Sequence, residues 1–434
     1  MLDVQEMYKQ KLKTPEQIAE YFESGFVCAA PTCVAQPIII AKAVGEKVRR
    51  EDIWGIQHHS LLTFPAAYVE EDIAEKYAHV SWFSGPNSRK GVQKGLYDVM
   101  PCHLGQIPRI WEEEMHKVDV FYAMVSPMDR HGYFSVGVSA VEVLAQLKMA
   151  RYVFLEVNDR MPRTYGTNIV HISQVTALCE CSYDLPELPS PPISDDDMII
   201  GQTIAELIPD GATLQLGIGG IPDAVGKCMT NKKDLGLHTE MFCESMIDLI
   251  ESGVVNNSKK NIDRGITMCA FALGTKRMYD FLDENPSVQF RGGEYVNDPY
   301  VIGKFDNFVS VNSCVEVDFW GQVCSESVGP KNISGTGGQV DFVRGCYLSP
   351  GGKSFIAMNS TVKGGTVSKI KPMLTPGAVV TTLKTDVEYI VTEYGAARLR
   401  GKTLRQRTRE LISIAHPKFR EELTFEARKM NILI

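Results

Sequence analysis

Between Gly236 and Gly253 the sequence GLHTEMFCESMIDLIESG sets four carboxylates, Glu240, Glu244, Asp248 and Glu251, within twelve residues. A carboxylate serves as a nucleophile, a general base or a solvated surface charge, and spacing begins to separate these roles. Glu244, Asp248 and Glu251 recur at intervals of four and three beside the apolar stripe Phe242, Met246, Ile247, Leu249 and Ile250. They read as the solvated face of an amphipathic helix. Glu240 precedes that helix, at the end of the alternating run Leu235, Leu237, Thr239, Met241, so it is expected at a strand-to-helix turn. Ligands of open α/β sheets bind at the carboxyl ends of strands, which favours Glu240 for chemistry. A lone acid at such a turn is also an ordinary helix cap, and both readings stand on the residues alone.

Two glycine loops bear on the same question. Gly217-Ile218-Gly219-Gly220-Ile221-Pro222 lies between the strand-like ATLQL and the helix-like PDAVGKCM. A strand, a glycine turn and a helix N-terminus aim backbone N–H groups at an anion or an oxyanion. Glu240 follows about twenty residues later, where the acid of a dinucleotide fold would bind ribose, so an NAD-dependent oxidoreductase is a competing reading. Pro222 opposes it, standing where the G-x-G-x-x-G fingerprint has its third glycine. The second loop, Ser334-Gly335-Thr336-Gly337-Gly338-Gln339-Val340-Asp341-Phe342, suits either a close backbone approach to a ligand or a flexible hairpin. Neither loop is a P-loop. No metal site is expected: His58 and His59 are adjacent and would face opposite sides of a strand, and the eleven cysteines contain no C-x-x-C. The cysteines read as free thiols in a reducing compartment.

The elements that must position these residues repeat. Ile18-Ala19-Glu20-Tyr21-Phe22-Glu23-Ser24-Gly25 matches Ile204-Ala205-Glu206-Leu207-Ile208-Pro209-Asp210-Gly211, and each copy leads through an apolar run to a helix-opening proline, Pro37 or Pro222. Asp129-x-x-Gly132-x-x-Ser135 matches Asp318-x-x-Gly321-x-x-Cys324, after the strand-like VDVFYAMVS and FVSVNSCVEV. Two matches in register, 186 and 189 residues apart, imply two copies of one fold. Strand-like runs (RYVFLEVN, ATLQLGIG, KSFIAMN, AVVTTL) alternate with helix-like ones (VSAVEVLAQLKMA, TKRMYDFLDEN), the pattern of open α/β sheets. The prolines and the three aspartates of YDLPELPSPPISDDDM cannot continue a helix or a central strand, and mark a linker. The expected organisation is an N-terminal α/β domain (1–182), a linker (183–198) and a C-terminal α/β domain (199–434) carrying Glu240, with the site in the cleft between the two.

Composition bounds the class. With 434 residues, 44% apolar and 23% charged, the chain reads as a soluble globular protein of two domains. A net charge of -8 argues against nucleic acid as the main partner. The start MLDVQEMYKQ is no signal peptide, and the apolar run Phe26–Val44 is broken by Pro31, Gln36, Pro37 and Lys42, so a cytoplasmic protein with no membrane partner is expected. A homo-oligomer is the expectation for such a soluble enzyme.

Taken together and in order, Gly217-Ile218-Gly219-Gly220-Ile221-Pro222-Asp223-Ala224-Val225, His238-Thr239-Glu240-Met241, Gly335-Thr336-Gly337-Gly338-Gln339-Val340-Asp341-Phe342 and Val391-Thr392-Glu393-Tyr394-Gly395 resemble the acetyl-CoA hydrolase/transferase family. The likeness is nearest to its 4-hydroxybutyrate CoA-transferases and butyryl-CoA:acetate CoA-transferases. Val125-Ser126-Pro127, Glu156-Val157-Asn158-Asp159 and Ile414-Ala415-His416-Pro417 extend it over nearly the whole chain. The resemblance implies two similar α/β domains, Glu240 as the covalent catalyst, and backbone oxyanion or CoA-binding donors from both glycine loops: Gly337, Gly338 and Gln339, with Gly217, Ile218 and Gly219. It implies acyl-CoA and a short-chain carboxylate as substrates, CoA being a substrate, with no cofactor and no metal. Departures bear on the acceptor. Gln36 stands where relatives acting on 4-hydroxybutyrate carry an acid, the lead-in Ala30-Pro31-Thr32-Cys33 lacks their histidine, and no acyl-contacting side chain is assigned around Trp54. Arg89, Arg160 or Arg163 facing the acceptor would suit a dicarboxylate such as itaconate or succinate; otherwise they are surface or structural arginines. An acyl-CoA hydrolase and a non-catalytic CoA-binding sensor complete the alternatives.

Overall fold

The structure, a computed structural model, describes residues 3–434. It divides into two compact units, 1–188 with 268–296, and 189–267 with 297–434.

The first unit is built on a parallel sheet in the order Ala177–Cys181, Ala150–Asn158, Val118–Val125, Val27–Ala29, Ile56–Leu61, Tyr77–Phe83, Asp98–Val99. Its interior strand Val118–Val125 is buried at every position, which is why it reads as continuous apolar sequence rather than as alternation. The second unit orders its parallel strands Tyr389–Thr392, Lys353–Ala357, Phe308–Ser313, Thr213–Leu216, Gly236–Phe242, with Gly395–Arg398 antiparallel at the outer edge. The five parallel strands of the second unit correspond in chain order and spatial order to the first unit's five strands from Ala177–Cys181 across to Ile56–Leu61. The two units are therefore copies of one topology, as the sequence repeat implies.

The repeat extends to single atoms. Asp129 Oδ1 accepts from the backbone N–H groups of His131 and Tyr133 at 2.8 and 2.9 Å, and Asp318 Oδ1 accepts from those of Trp320 and Gln322 at 3.0 and 2.9 Å. In both copies the glycine three residues on donates to the aspartate carbonyl, and its φ is +88° (Gly132) or +84° (Gly321). That left-handed conformation is what restricts the position to glycine.

Several boundaries differ from those expected. Residues 268–296 fall within the C-terminal domain by sequence, yet they cluster with the first unit. Ala140 donates its backbone N–H to Ala270, Ala272 to Val138 and Gly293 to Val141, and strand Val288–Phe290 pairs in parallel with Tyr165–Gly166. The linker is shorter than 183–198, because the three aspartates open helix Asp195–Leu207. Ser194 caps it by accepting from Asp197 N, and negative charge in a first turn is favoured by the helix dipole. The helix-like VSAVEVLAQLKMA is helical only over Val143–Met149, because its first part pairs as extended chain with residues 270–272. The strand-like AVVTTL forms no strand; Thr381 and Thr382 both donate to the Val323 carbonyl, which interrupts a regular ladder.

Asp318 is buried, and its carboxylate accepts from two backbone N–H groups and from Gln322 Nε2 at 2.7 Å. Asp318→Ala is expected to lower the unfolding free energy by about 2–3 kcal/mol in denaturant titration. A loss below about 0.5 kcal/mol would show that the turn forms without its carboxylate.

Candidate active site

Glu240 lies inside the strand Gly236–Phe242 rather than at the turn beyond it; Cys243 caps the following helix, Glu244–Glu251. Thr213–Leu216 pairs with this strand only at Thr213↔Gly236 and Leu214↔Leu237, while it pairs with Phe308–Ser313 along four residues. Gly217 continues on that side by donating to the Val311 carbonyl at 2.9 Å. Glu240 thus stands beyond the point where two adjacent strands stop pairing, near the carboxyl ends of the sheet.

Its carboxylate has two donors, both from the second unit. Asn297 Nδ2 donates to Glu240 Oε2 at 2.7 Å, and the Gly338 backbone N–H donates to the same carboxylate. Local sequence places each donor. Asp298 Oδ1 accepts from Tyr300 N at 2.8 Å and so caps the short helix Pro299–Ile302, fixing the residue that precedes it, Asn297. Gly338 is the N-cap of helix Gln339–Leu348, whose Phe342 stacks on Phe308 of the sheet. The two helices touch where Gly345 offers no side chain; a Cβ there would lie 2.4 Å from Ile302 Cγ2. A Cβ on Gly338 would lie 2.0 Å from both Glu240 Oε2 and Asn297 Nδ2, so the carboxylate and amide occupy the space a side chain would need.

Burial pushes the Glu240 carboxyl up to about 7, against the opposing pull of the Asn297 amide and the Gly338 N–H. No charged group contributes to the shift. The residue nevertheless keeps part of its surface open to solvent. A carboxylate poised near neutrality and held by neutral donors is suited to attack an electrophilic carbonyl or to move a proton. Asn297 Oδ1 is buried without a partner.

Residues 2–185 match the acetyl-CoA hydrolase/transferase N-terminal domain and 274–427 the acetyl-CoA hydrolase/transferase C-terminal domain. The chain is 46% identical over 428 residues to succinyl-CoA:cyclohexane-1-carboxylate CoA transferase of Geobacter metallireducens, covering 98% of this chain and 96% of the relative. It is 44% identical over 430 residues to 4-hydroxybutyrate coenzyme A transferase of Clostridium kluyveri, covering 99% and 100%. The crystal structure of RipA from Yersinia pestis superposes with a TM-score of 0.94 at 37% identity, covering 99% of this chain and 100% of that one. The chain belongs to the acetyl-CoA hydrolase/transferase family.

Within this family member, the sequence-derived residues separate. Glu240 and Gly338 come together. Gly337, with φ of +58°, makes the turn that presents Gly338. Gln339 is buried and turned away, its Nε2 donating to Thr382 Oγ1 at 3.1 Å. Gly217, Ile218 and Gly219 form the other glycine turn; Gly219 is the N-cap of helix Gly220–Cys228 with φ of +121°, and Ile218 is 46% exposed. None of these three supplies a hydrogen bond to Glu240, whose donors are Asn297 and Gly338. Of the helix acids, Asp248 and Glu251 are exposed and Glu244 is half-buried. Asn297 was not foreseen; Asn-Asp-Pro signals a turn but not a partner 57 residues away in sequence.

The residues considered for an acceptor dicarboxylate sit in the first unit. Arg163 is bound to Asp129 at 2.6 Å, and Arg160 lies 3.7 Å from Asp159. Both line a cavity of about 660 Å³ together with Asp184, Glu187, Asp283 and Glu284, an acid-rich setting for a carboxylate ligand. Arg89 lies on helix Pro86–Gln93. His58 is bonded to Tyr122 and Ser60, and among the described residues no group of three or more His, Cys, Asp or Glu is placed to hold a metal. Glu393 accepts from the Ser360 backbone N–H at 2.8 Å, and Tyr394 packs against His416.

Gly338→Ala is expected to lower kcat/KM by roughly 100-fold or more, since an ångström of displacement at a reacting group costs about that much. Steady-state kinetics with a folded-state check by circular dichroism would decide it; a loss below about threefold would mean that the turn tolerates the Cβ. A second expectation follows from linkage. With a folded value of about 7 against the usual 4.5, the folded state binds more protons than the unfolded one between these pH values. Stability from this group is therefore undiminished below about pH 4.5, falls as pH rises, and is reduced by at most about 3 kcal/mol above pH 7. Glu240→Gln removes the dependence, so the variant should gain on the wild type by up to about that amount between pH 5 and pH 8 in denaturant titrations. A constant difference would contradict the burial of the charge.

Proposed function

We propose that this chain is a CoA-transferase that moves CoA between a short-chain acyl-CoA, of the acetyl, butyryl or 4-hydroxybutyryl type, and a free carboxylate, with Glu240 as the covalent carrier. The observation that carries the reading is the Glu240 carboxylate itself, partly open to solvent, held by Asn297 and Gly338 and raised towards neutrality by burial. The activities named for the Geobacter and Clostridium relatives agree with it. Succinyl-CoA in the first of those names keeps dicarboxylates among the acids to be screened.

The chemistry balances without ATP or a redox partner. Glu240 attacks the thioester carbonyl; the tetrahedral oxyanion collapses with loss of the CoA thiolate, leaving a mixed anhydride. The thiolate then attacks the glutamyl carbonyl, forming a glutamyl-CoA thioester and releasing the first acid as its carboxylate. An acceptor carboxylate attacks that thioester, again expelling the thiolate and forming a second anhydride. Thiolate attack on the acceptor's carbonyl yields the new acyl-CoA and regenerates the Glu240 carboxylate. Each oxyanion needs fixed donors, and backbone N–H groups of the Gly338 loop are suited to the task, with Ile218 and Gly219 of the other loop as the second candidates; one such donor is typically worth about 2.7–4 kcal/mol. CoA is a substrate, so no resident cofactor or metal is required. We place the protein in the cytoplasm as a homo-oligomer; no described helix is long and apolar enough to cross a membrane.

The deciding experiment is intact-mass spectrometry after incubation with acetyl-CoA or butyryl-CoA, then borohydride treatment and peptide mapping. A CoA adduct or its reduction product is expected at Glu240 and absent from Glu240→Gln, while Glu244→Gln should lose little activity. Because only the carboxylate attacks, kcat/KM for the acyl-CoA should fall tenfold per pH unit below about pH 7. A protein that turns over acyl-CoA without ever carrying an adduct would instead be a non-covalent hydrolase.

A further inference from the structure

The Ser334–Gly338 loop has almost no side chains with which to hold itself. Gly335, Gly337 and Gly338 offer none, which leaves the hydroxyls of Ser334 and Thr336. Yet the loop must keep the Gly338 N–H on the Glu240 carboxylate. The restraint comes from behind it, from residues that neither the glycine motif nor Glu240 points to.

Glu326 lies at the mouth of a small hairpin, Ser327–Val328 paired with Lys331–Asn332, whose return strand feeds directly into the loop. Its carbonyl accepts from Ile333 N at 2.9 Å and from Ser334 N at 3.3 Å. Its carboxylate accepts from Thr381 Oγ1 at 2.9 Å and lies 3.4 and 3.5 Å from Thr336 Oγ1 in the middle of the loop. Thr381 Oγ1 accepts in turn from Ser325 N at 2.9 Å. The next residue, Thr382, takes the Gln339 side chain just past the loop, and both threonines donate their backbone N–H groups to Val323. One two-residue segment, Thr381-Thr382, therefore grips the chain before and after the glycines, and among the described residues it is the Glu326 side chain that joins it to the loop's middle. No ion pair involves Glu326 among the described residues, so its oxygens are free to serve hydroxyls alone.

We propose that Glu326 is a positioning residue of the transfer reaction, acting through Thr381 and Thr336 to hold the turn that presents the Gly338 N–H to Glu240. The proposal rests on the reading of Glu240 as the covalent carrier. Removing the carboxylate lets the turn drift, which weakens a donor that Glu240 needs without touching CoA or either acid.

Six proteins test this: wild type, Glu326→Ala, Glu326→Gln, Thr381→Val and the double variant of Glu326→Ala with Thr381→Val, together with Glu240→Gln as the reference for the underlying reading. Glu326→Ala is expected to lower kcat by roughly 10- to 100-fold with KM changed less than about threefold. Because the Gly338 N–H favours the ionised Glu240, its loosening should also move the acidic limb of kcat/KM upward by about half a pH unit or more. Thr381→Val should do the same, and the double variant should be no worse than the poorer single one, since both remove one linkage. Glu326→Gln, which keeps one acceptor oxygen, should recover part of the rate. An unaltered kcat, an unmoved acidic limb, or fully additive losses would reduce Glu326 to a structural residue. Should Glu240→Gln itself retain transfer, the covalent reading fails, whatever Glu326 does.

Discussion

The second unit depends on a carboxylate that is taken largely out of water and given two hydrogen-bond donors, neither of them charged. Burying a carboxylate is costly unless it is paired, and a lysine or arginine would be the stabilising partner. Such a pairing would also draw the group well below its usual range and fix it as a salt bridge. Glu240 has an amide and a backbone N–H instead, and burial outweighs them. The surrounding structure follows from having to aim these two weak donors: a proline-started helix turn sets Asn297, a stacked aromatic pair sets the helix behind Gly338, and Gly345 lets the two helices approach closely enough for both donors to reach one carboxylate.

The internal repeat shows what had to change for one copy to carry this group. Each unit follows its first parallel strand with a helix, Ile38–Arg50 in one and Gly220–Cys228 in the other. In the first unit that helix's opening N–H groups, from Ile38, Ile39 and Ile40, are taken by the buried carboxylate of Glu156, which also receives the Tyr183 hydroxyl. By strand register, the position of Glu156 corresponds to Ala357 in the second unit, which has no side chain to send. The N-cap of the second unit's helix is Gly219, whose missing Cβ would meet nothing within 4 Å, although a Cβ on the next residue, Gly220, would lie 2.9 Å from Asp197 Oδ2. One copy thus closes its helix end internally and becomes scaffold, while the other leaves it to be approached.

What was legible in the sequence follows from how local each signal is. Strand order could not be read, but the two-copy α/β architecture could, because the Asp-x-x-Gly turn and the helix-strand lead-ins are local patterns under the same constraint in both halves. Glu240 stood apart from Glu244, Asp248 and Glu251 because helical and extended spacing differ within a few residues. Asn297 was hidden because its role is set by a contact across 57 residues, and nothing in Asn-Asp-Pro names the partner. Glu326 was hidden for the same reason. The placement of 268–296 escaped because its strands are as apolar as those of either unit, and composition does not say which unit such a segment packs with. The three aspartates misled in the opposite way: acidic residues that break a helix interior are favourable in its first turn.

A raised Glu240 value acts on the individual steps of the proposed exchange and leaves its equilibrium unchanged. When a mixed anhydride is attacked by a thiolate, the less basic carboxylate leaves more readily. Ordinary short-chain acids ionise in the usual carboxylate range, about 4–5, whereas Glu240 sits near 7. Attack at the glutamyl carbonyl, with the substrate's acid as leaving group, is thus favoured over attack that returns the CoA to the acid it came from. The same basicity makes the free Glu240 carboxylate the stronger nucleophile towards the next thioester, and the poorer leaving group in the closing step, where thiolate attack on the acceptor's carbonyl must expel it. The fixed donors oppose this by stabilising the carboxylate, so the site's reactivity depends on burial outweighing Asn297 and Gly338 by a margin small enough to leave the group about half ionised at neutral pH. A cation beside Glu240 would strengthen its binding in the fold and weaken both steps, which gives a chemical reason for the purely neutral donor set.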